Sequence, residues 1–145
     1  MSTDWNVTYD CASPAVMAAF WGLALGYVTP PPPDGFDTWD AWARHHEVPE
    51  DELDDGAYLA DPDGVRPSIS FLKVPEGKVA KNRLHMDLRV SGGRAVPQDE
   101  REPLMRAAVA RLTAAGATVL SEHDLRGDLD HVVLADPEGN EFCIG

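Results

Sequence analysis

Apolar and polar positions alternate most cleanly at Leu84-His85-Met86-Asp87-Leu88-Arg89-Val90. Successive strand side chains point to opposite faces. Leu84, Met86, Leu88 and Val90 are therefore expected on one face, with His85, Asp87 and Arg89 on the other. Shorter runs predict strands near 5–11, 27–29, 57–59, 68–73, 118–121, 131–135 and 140–144. Helical spacing occurs in two long stretches. Val16, Ala19, Phe20, Leu23 and Ala24 form a stripe that opens at Ser13-Pro14, an N-cap followed by a first-turn proline, and stops at Gly26. Leu104, Met105, Ala108, Val109 and Leu112 form another, opened by an Asp99/Glu102 capping box and closed at Gly116.

These elements fall into two sets with one order. Leu59-Ala60-Asp61-Pro62-Asp63-Gly64 returns as Leu134-Ala135-Asp136-Pro137-Glu138-Gly139, 75 positions later. A turn repeated in matching surroundings marks a duplicated unit. Each half reads β-α-β-β-β, so the expected fold is α+β: two paired βαβββ modules forming a cupped mixed β-sheet with helices on the outer face. A single domain spans 1–145, with module one at about 5–73, a linker at about 74–83 and module two at about 84–145. Residues from about 30 to 56 have no counterpart in module two. They begin with four prolines, which no central strand tolerates. Asp37-Thr38-Trp39-Asp40 then opens a helix through about His46, and an acidic loop follows. The insertion suits a lid over a pocket, or a packing of Trp39 and Trp42 onto the sheet rim.

Charge narrows the partners. Twelve Lys and Arg against 25 Asp and Glu give a net charge of −13, which repels phosphate backbones and argues against nucleic acid. No apolar run approaches the roughly 20 residues of a membrane span, and no secretory leader pattern is present, so a cytoplasmic location is expected. Cys11 and Cys143 follow no zinc-type spacing and read as small buried residues.

Several segments carry a family resemblance: Asp10-Cys11-Ala12-Ser13-Pro14 leading to Phe20-Trp21, Val74-Pro75-Glu76-Gly77-Lys78, Lys81-Asn82-Arg83-Leu84-His85-Met86-Asp87-Leu88, and Asp136-Pro137-Glu138-Gly139-Asn140-Glu141-Phe142-Cys143. With these the chain resembles the vicinal oxygen chelate superfamily (glyoxalases, bleomycin resistance proteins and dioxygenases). More narrowly it is similar to the small glyoxalase-like domains common in actinobacteria. The resemblance covers all but about 30–56. It implies the paired-module fold and a small-molecule ligand, and homodimerisation is common in the superfamily. One fold of this kind hosts many chemistries, so function must come from the site.

In metal-using members, ligands come from the first and last strand of each module. Here His85 and Glu141 occupy two of those positions, while Thr8 and Ser68 stand at the other two. Hydroxyls are poor ligands for a divalent ion. A divalent metal is thus the one cofactor to consider, with His85 and Glu141 as an incomplete pair unless Asp10 or Asp87 joins them. Without metal, His85 is the expected acid–base group and Glu141 its orienting carboxylate, because a carboxylate beside an imidazole fixes its tautomer. Thr8, Asp10, Ser68, Asp87 and Arg89 are expected to line the cup, and Trp39 and Trp42 to supply an aromatic wall. Two functions follow: an enzyme acting on a hydrophobic or carbonyl-containing metabolite, or a protein that sequesters a drug-like molecule without turnover.

Overall fold

The computed structural model describes residues 1–145, which divide into two compact units, Met1–Gly77 and Lys78–Gly145. The division falls within the 74–83 segment. The fold is α+β, with a three-stranded and a four-stranded mixed sheet.

In the first unit, β1 (Val7–Cys11) pairs in parallel with β3 (Ile69–Lys73), and β2 (Gly56–Leu59) pairs antiparallel on the other side of β3. Helix α1 (Pro14–Leu25) starts and stops where its signals predict, with Ser13 at the N-cap and Gly26 closing it through an N–H to the Gly22 carbonyl. Its buried face differs from the expected stripe. Met17, Phe20 and Trp21 are buried, whereas Val16 and Leu23 are about half exposed. The helix is apolar nearly all round, so sequence spacing alone did not select the face; packing of Trp21 on Tyr9 (5.6 Å) and edge-on to Phe20 (5.4 Å) does. Residues 27–29 form no full strand: Val28 makes a lone bridge to Ala60. Helix α2 (Trp39–His45) lies in the insertion, its N-cap Thr38 accepting from the Ala41 N–H through Oγ1 at 3.1 Å.

In the second unit the sheet order is β4-β7-β6-β5, from β4 (Asp87–Leu88), β7 (Glu141–Ile144), β6 (Asp128–Ala135) and β5 (Thr118–Leu125). The expected seven-residue strand at 84–90 contracts to Asp87–Leu88, and Leu84 is 72% exposed. Helix α3 (Gln98–Ala114) begins just before Asp99, so Asp99 lies inside its first turn and the expected capping box does not form. Met105, Ala108 and Leu112 of α3 are buried, as are Leu88, Val132, Leu134, Phe142 and Ile144 of the sheet. β5 and β6 form a hairpin longer than expected, turning at Arg126-Gly127, both with positive φ. β5 is an edge strand, exposed at every position except Ser121.

The repeated hexapeptide has one physical job in each unit. The buried Asp61 carboxylate accepts from the N–H groups of Asp63, Val65 and Arg66, and the buried Asp136 carboxylate from those of Glu138 and Asn140. Gly64 and Gly139 then take positive φ (66° and 87°), which costs a glycine little, and each N–H bonds the carbonyl of its aspartate at 2.9 Å.

Candidate functional site

Pairing register decides which side chains share a face. Cys143 lies opposite Val133 and beside Asp87; Glu141 lies opposite Ala135; His123 lies opposite His131. Residues paired across strands point the same way. Thus Asp87, Ser121, His123, His131, Val133, Glu141 and Cys143 share the sheet face opposite to the buried Leu88, Val132, Leu134, Phe142 and Ile144.

Three reactive groups converge there. His85 Nε2 is 3.3 Å from Asp87 Oδ1, and with Cys143 Sγ these side chains offer donor atoms all within 4.8 Å of one another. Burial pushes the Cys143 thiol pKa up, and the neighbouring Asp87 charge and hydrogen bond add to the shift.

A second imidazole–carboxylate pair stands close by in the same sheet. Between the pairs His123–His131 and Asp124–Leu129, β6 advances two residues while β5 advances one, so Asp130 is the extra residue of a β-bulge. A bulge re-aims a side chain. Asp130 Oδ2 thereby reaches His131 Nδ1 at 3.0 Å, although consecutive strand residues ordinarily diverge. Arg94 donates to both Asp130 oxygens, at 2.7 and 2.8 Å. The Arg94 guanidinium first, and then His131, hold the Asp130 carboxyl well below the usual carboxylate range. An ionised acceptor at Nδ1 selects, for the neutral imidazole, the tautomer with its proton on Nδ1 and its lone pair on Nε2. The His131 ring lies face to face with His123, centroids 4.5 Å apart.

Two cavities open on these groups. One of about 570 Å³ is lined by residues that include His85, Asp87, Arg89, Arg101 and His131. Another of about 410 Å³ meets His85, His123, His131, Glu141 and Cys143. His85, His131 and Cys143 belong to both.

Glu141 does not pair with His85. Its Oε2 accepts from the Asn82 backbone N–H at 3.0 Å and lies 3.1 Å from Lys78 Nζ. The Asn82 N–H, and then Lys78, hold the Glu141 pKa down to about 2. The expected pairing is replaced because strand pairing of β4 starts only at Asp87. His85 lies beyond it and its ring turns onto Asp87 instead. The aspartate left open as a third ligand is thus Asp87, in a group that Cys143 completes in place of Glu141.

The remaining expected residues belong to two places. Arg89 lines the larger cavity of the second unit. In the first unit, Thr8 and Asp10 are exposed on the face of β1 opposite the half-buried Tyr9 and buried Cys11, and Ser68 is exposed just before β3. Trp39 stacks on Tyr58 with centroids 5.6 Å apart and meets Trp42 edge-on at 5.7 Å. These three rings line a separate cavity of about 560 Å³ within that unit.

Cys143, His123 and His131 are the residues that sequence reading undervalued. Cys143 is two positions from Glu141 in one strand, so the alternation that assigns Glu141 to a face assigns the sulfur to the same face. Asp130 and His131 are adjacent in the chain, but the bulge that joins their side chains has no sequence signal.

The model of a family described as "Glyoxalase-like domain" matches residues 6–145. The chain belongs to the glyoxalase-like domain family. Solved structures share the fold of this glyoxalase-like domain. A glyoxalase/bleomycin resistance protein/dioxygenase family enzyme from Burkholderia phytofirmans PsJN superposes with a TM-score of 0.61 at 16% identity, over 98% of this chain and 97% of that one. The fosfomycin resistance protein FosX from Mesorhizobium loti gives 0.62 at 8% identity, over 99% and 90%. A FosX mutant from Listeria monocytogenes, complexed with Mn(II) and 1S,2S-dihydroxypropylphosphonic acid, gives 0.58 at 10% identity, over 99% and 89%. At such identities the likeness establishes the fold alone. No curated protein matches the chain. No helix is long and apolar enough to cross a membrane.

The glyoxalase-like domain's own donors decide which ion would fit. An imidazole, a carboxylate and a thiol, with a fourth position open, suit a borderline-soft ion such as zinc. They suit Mn(II) poorly, since that ion favours oxygen-rich sites.

Proposed function

We propose that this glyoxalase-like domain is an enzyme that moves a proton on a small carbonyl-containing metabolite, bound on the open face of the β4-β7-β6-β5 sheet. One observation carries the reading: two imidazole–carboxylate pairs, His85–Asp87 and His131–Asp130, line a single cavity. β4 and β6 are separated by β7, so the pairs stand two strand spacings apart, roughly 10 Å. That gap suits a small carbon acid held between two imidazoles.

His131, with Nδ1–H donated to Asp130, removes a proton from the carbon next to the carbonyl through Nε2. The electron pair moves onto the carbonyl oxygen as an enolate. As the carbonyl re-forms, His85, positioned by Asp87, returns a proton to the same carbon from its opposite face, which completes an epimerisation. If a divalent ion is bound, His85, Asp87 and Cys143 would hold it and it would polarise the substrate carbonyl; the proton would then be returned by solvent and not by His85. Glu141 acts as a positioning residue, fixing 78–82 beside the smaller cavity.

The test works without a named substrate. Carbonyl metabolites are incubated with the protein in deuterium oxide, and deuterium entry at the α-carbon is followed by NMR. Exchange that is lost in His85→Ala and His131→Ala, with binding retained, supports the reading. Exchange at the wild-type rate in both variants, or no exchange across the library, sinks it.

The Trp39–Trp42–Tyr58 cavity favours a second reading, sequestration of a planar drug-like molecule without turnover. Tight binding that Trp42→Ala abolishes and His85→Ala leaves intact would favour it.

A further inference from the structure

Arg101, in the first turn of α3, is only 7% exposed, the one buried basic residue of the chain. Its Nε donates to Ser91 Oγ at 3.4 Å and its Nη2 to the Asp130 carbonyl at 3.2 Å. Both acceptors are neutral. Among the other buried charges, Asp61 and Asp130 each pair with an arginine. The Asp130 carboxylate is itself committed to Arg94 and His131, so it does not neutralise Arg101.

A guanidinium taken out of water without an anion carries a desolvation cost that neutral acceptors offset only in part. Arg101 nonetheless lines the 570 Å³ cavity, together with Arg89 and Arg94. The side-chain acids on that wall are Asp87, which meets His85, and Asp130. The Gly145 carbonyl is taken up by the Val90 and Ser91 N–H groups. A chain of net charge −13 therefore gathers three of its 12 cations around one opening, and the most buried of them has no counter-charge.

We infer that this cavity binds a small molecule through an oxyanion group, a carboxylate or a phosphate-type group, with the unused edge of the Arg101 guanidinium as its principal contact and Arg89 at its mouth. A planar fork of N–H donors matches such a group in two-point fashion. The anionic group would sit beside His85 and His131, so the substrate is a carbonyl compound that also carries an acid. That last step rests on the proton-transfer reading above; the binding of the anion does not.

Three probes separate the possibilities: methylphosphonate, propionate and the neutral isostere propionamide. Each is titrated into the full chain at low and high salt while the backbone amide resonances of Gly92 and Gly93, on the cavity wall, are followed by NMR in every variant, with the Arg101 Nε–H as well in the wild type. A saturable shift with either anion, absent with propionamide, is expected. The preferred anion tells a phosphate-type group from a carboxylate. Arg101→Met should weaken anion binding at least tenfold, and Arg89→Ala by a few-fold. Arg101→Lys, which keeps the charge and loses the fork, should fall between them and serves if the Met variant does not fold. No saturable shift with either anion, or full affinity in Arg101→Lys and Arg101→Met alike, overturns the inference. Anion binding without deuterium exchange would leave the anion site standing and remove the enzymatic reading; exchange confined to neutral carbonyl compounds, with no saturable shift from either anion, would do the reverse.

Discussion

Asp130 and His131 are consecutive residues of β6 whose side chains nevertheless meet, Oδ2 to Nδ1, at 3.0 Å. The bulge at Asp130 makes this contact, and Arg94 locks its far side. Asp130→Asn keeps the shape but removes the charge. Deuterium exchange should fall at least tenfold, because the imidazole loses its fixed tautomer. Stability should fall by about 1–2 kcal/mol, as a charged hydrogen-bonded partner is lost. A urea titration beside the exchange assay separates the two effects. Unchanged exchange in a folded variant would remove His131 from the mechanism.

Glu141 predicts a pH dependence. Its pKa is lowered from about 4.5 to about 2, so the folded state favours its ionised form. The stabilisation is fully present above about pH 4.5 and is lost as pH falls towards about 2. Glu141→Gln should therefore melt well below the wild type at pH 7, and the gap should shrink steadily under acid. A gap that does not change with pH would show that the carboxylate's charge is not what matters.

The repeated turn makes a sharper structural prediction. Asp136→Ala leaves the Glu138 and Asn140 N–H groups without their acceptor and should cost about 2–3 kcal/mol. Asp136→Asn keeps an acceptor oxygen and should cost about half as much. Guanidinium denaturation of both variants gives the ratio directly. Asp61→Ala should behave like Asp136→Ala, since its carboxylate serves the same kind of turn.

The donor group at His85, Asp87 and Cys143 can be read with cobalt. Co(II) should bind with a sulfur-to-metal charge-transfer absorption, and Cys143→Ser should abolish that band while leaving weaker binding. Zn(II) should displace Co(II), and Mn(II) should not. Cobalt spectra identical in the wild type and Cys143→Ser would exclude the thiol as a ligand.

Much of this architecture was legible in the chain. The hexapeptide repeat, the Ser13-Pro14 start and the Gly26 stop are local signals, and local signals fix turns and helix ends. Face assignment in the strands was legible too, because a period of two admits only two answers. The misses share a different cause. The extent of β4, the buried side of α1 and the bulge at Asp130 depend on what each segment packs against. The pairing of Glu141 with Lys78 rather than His85 is of the same kind, since a residue 63 positions away supplies the partner.

The unpaired rim along β5 has a consequence for handling the protein. Its outer row of amides and carbonyls is open, with Val119, Leu120 and Leu125 bared beside it. Mutual repulsion, from Asp124 and Asp128 and from the chain's net charge of −13, opposes two molecules zipping together there. Acidified samples lose that guard as carboxyls take up protons. Turbidity should then set in while the fold is still intact, and a lysine introduced at Leu120 should delay it.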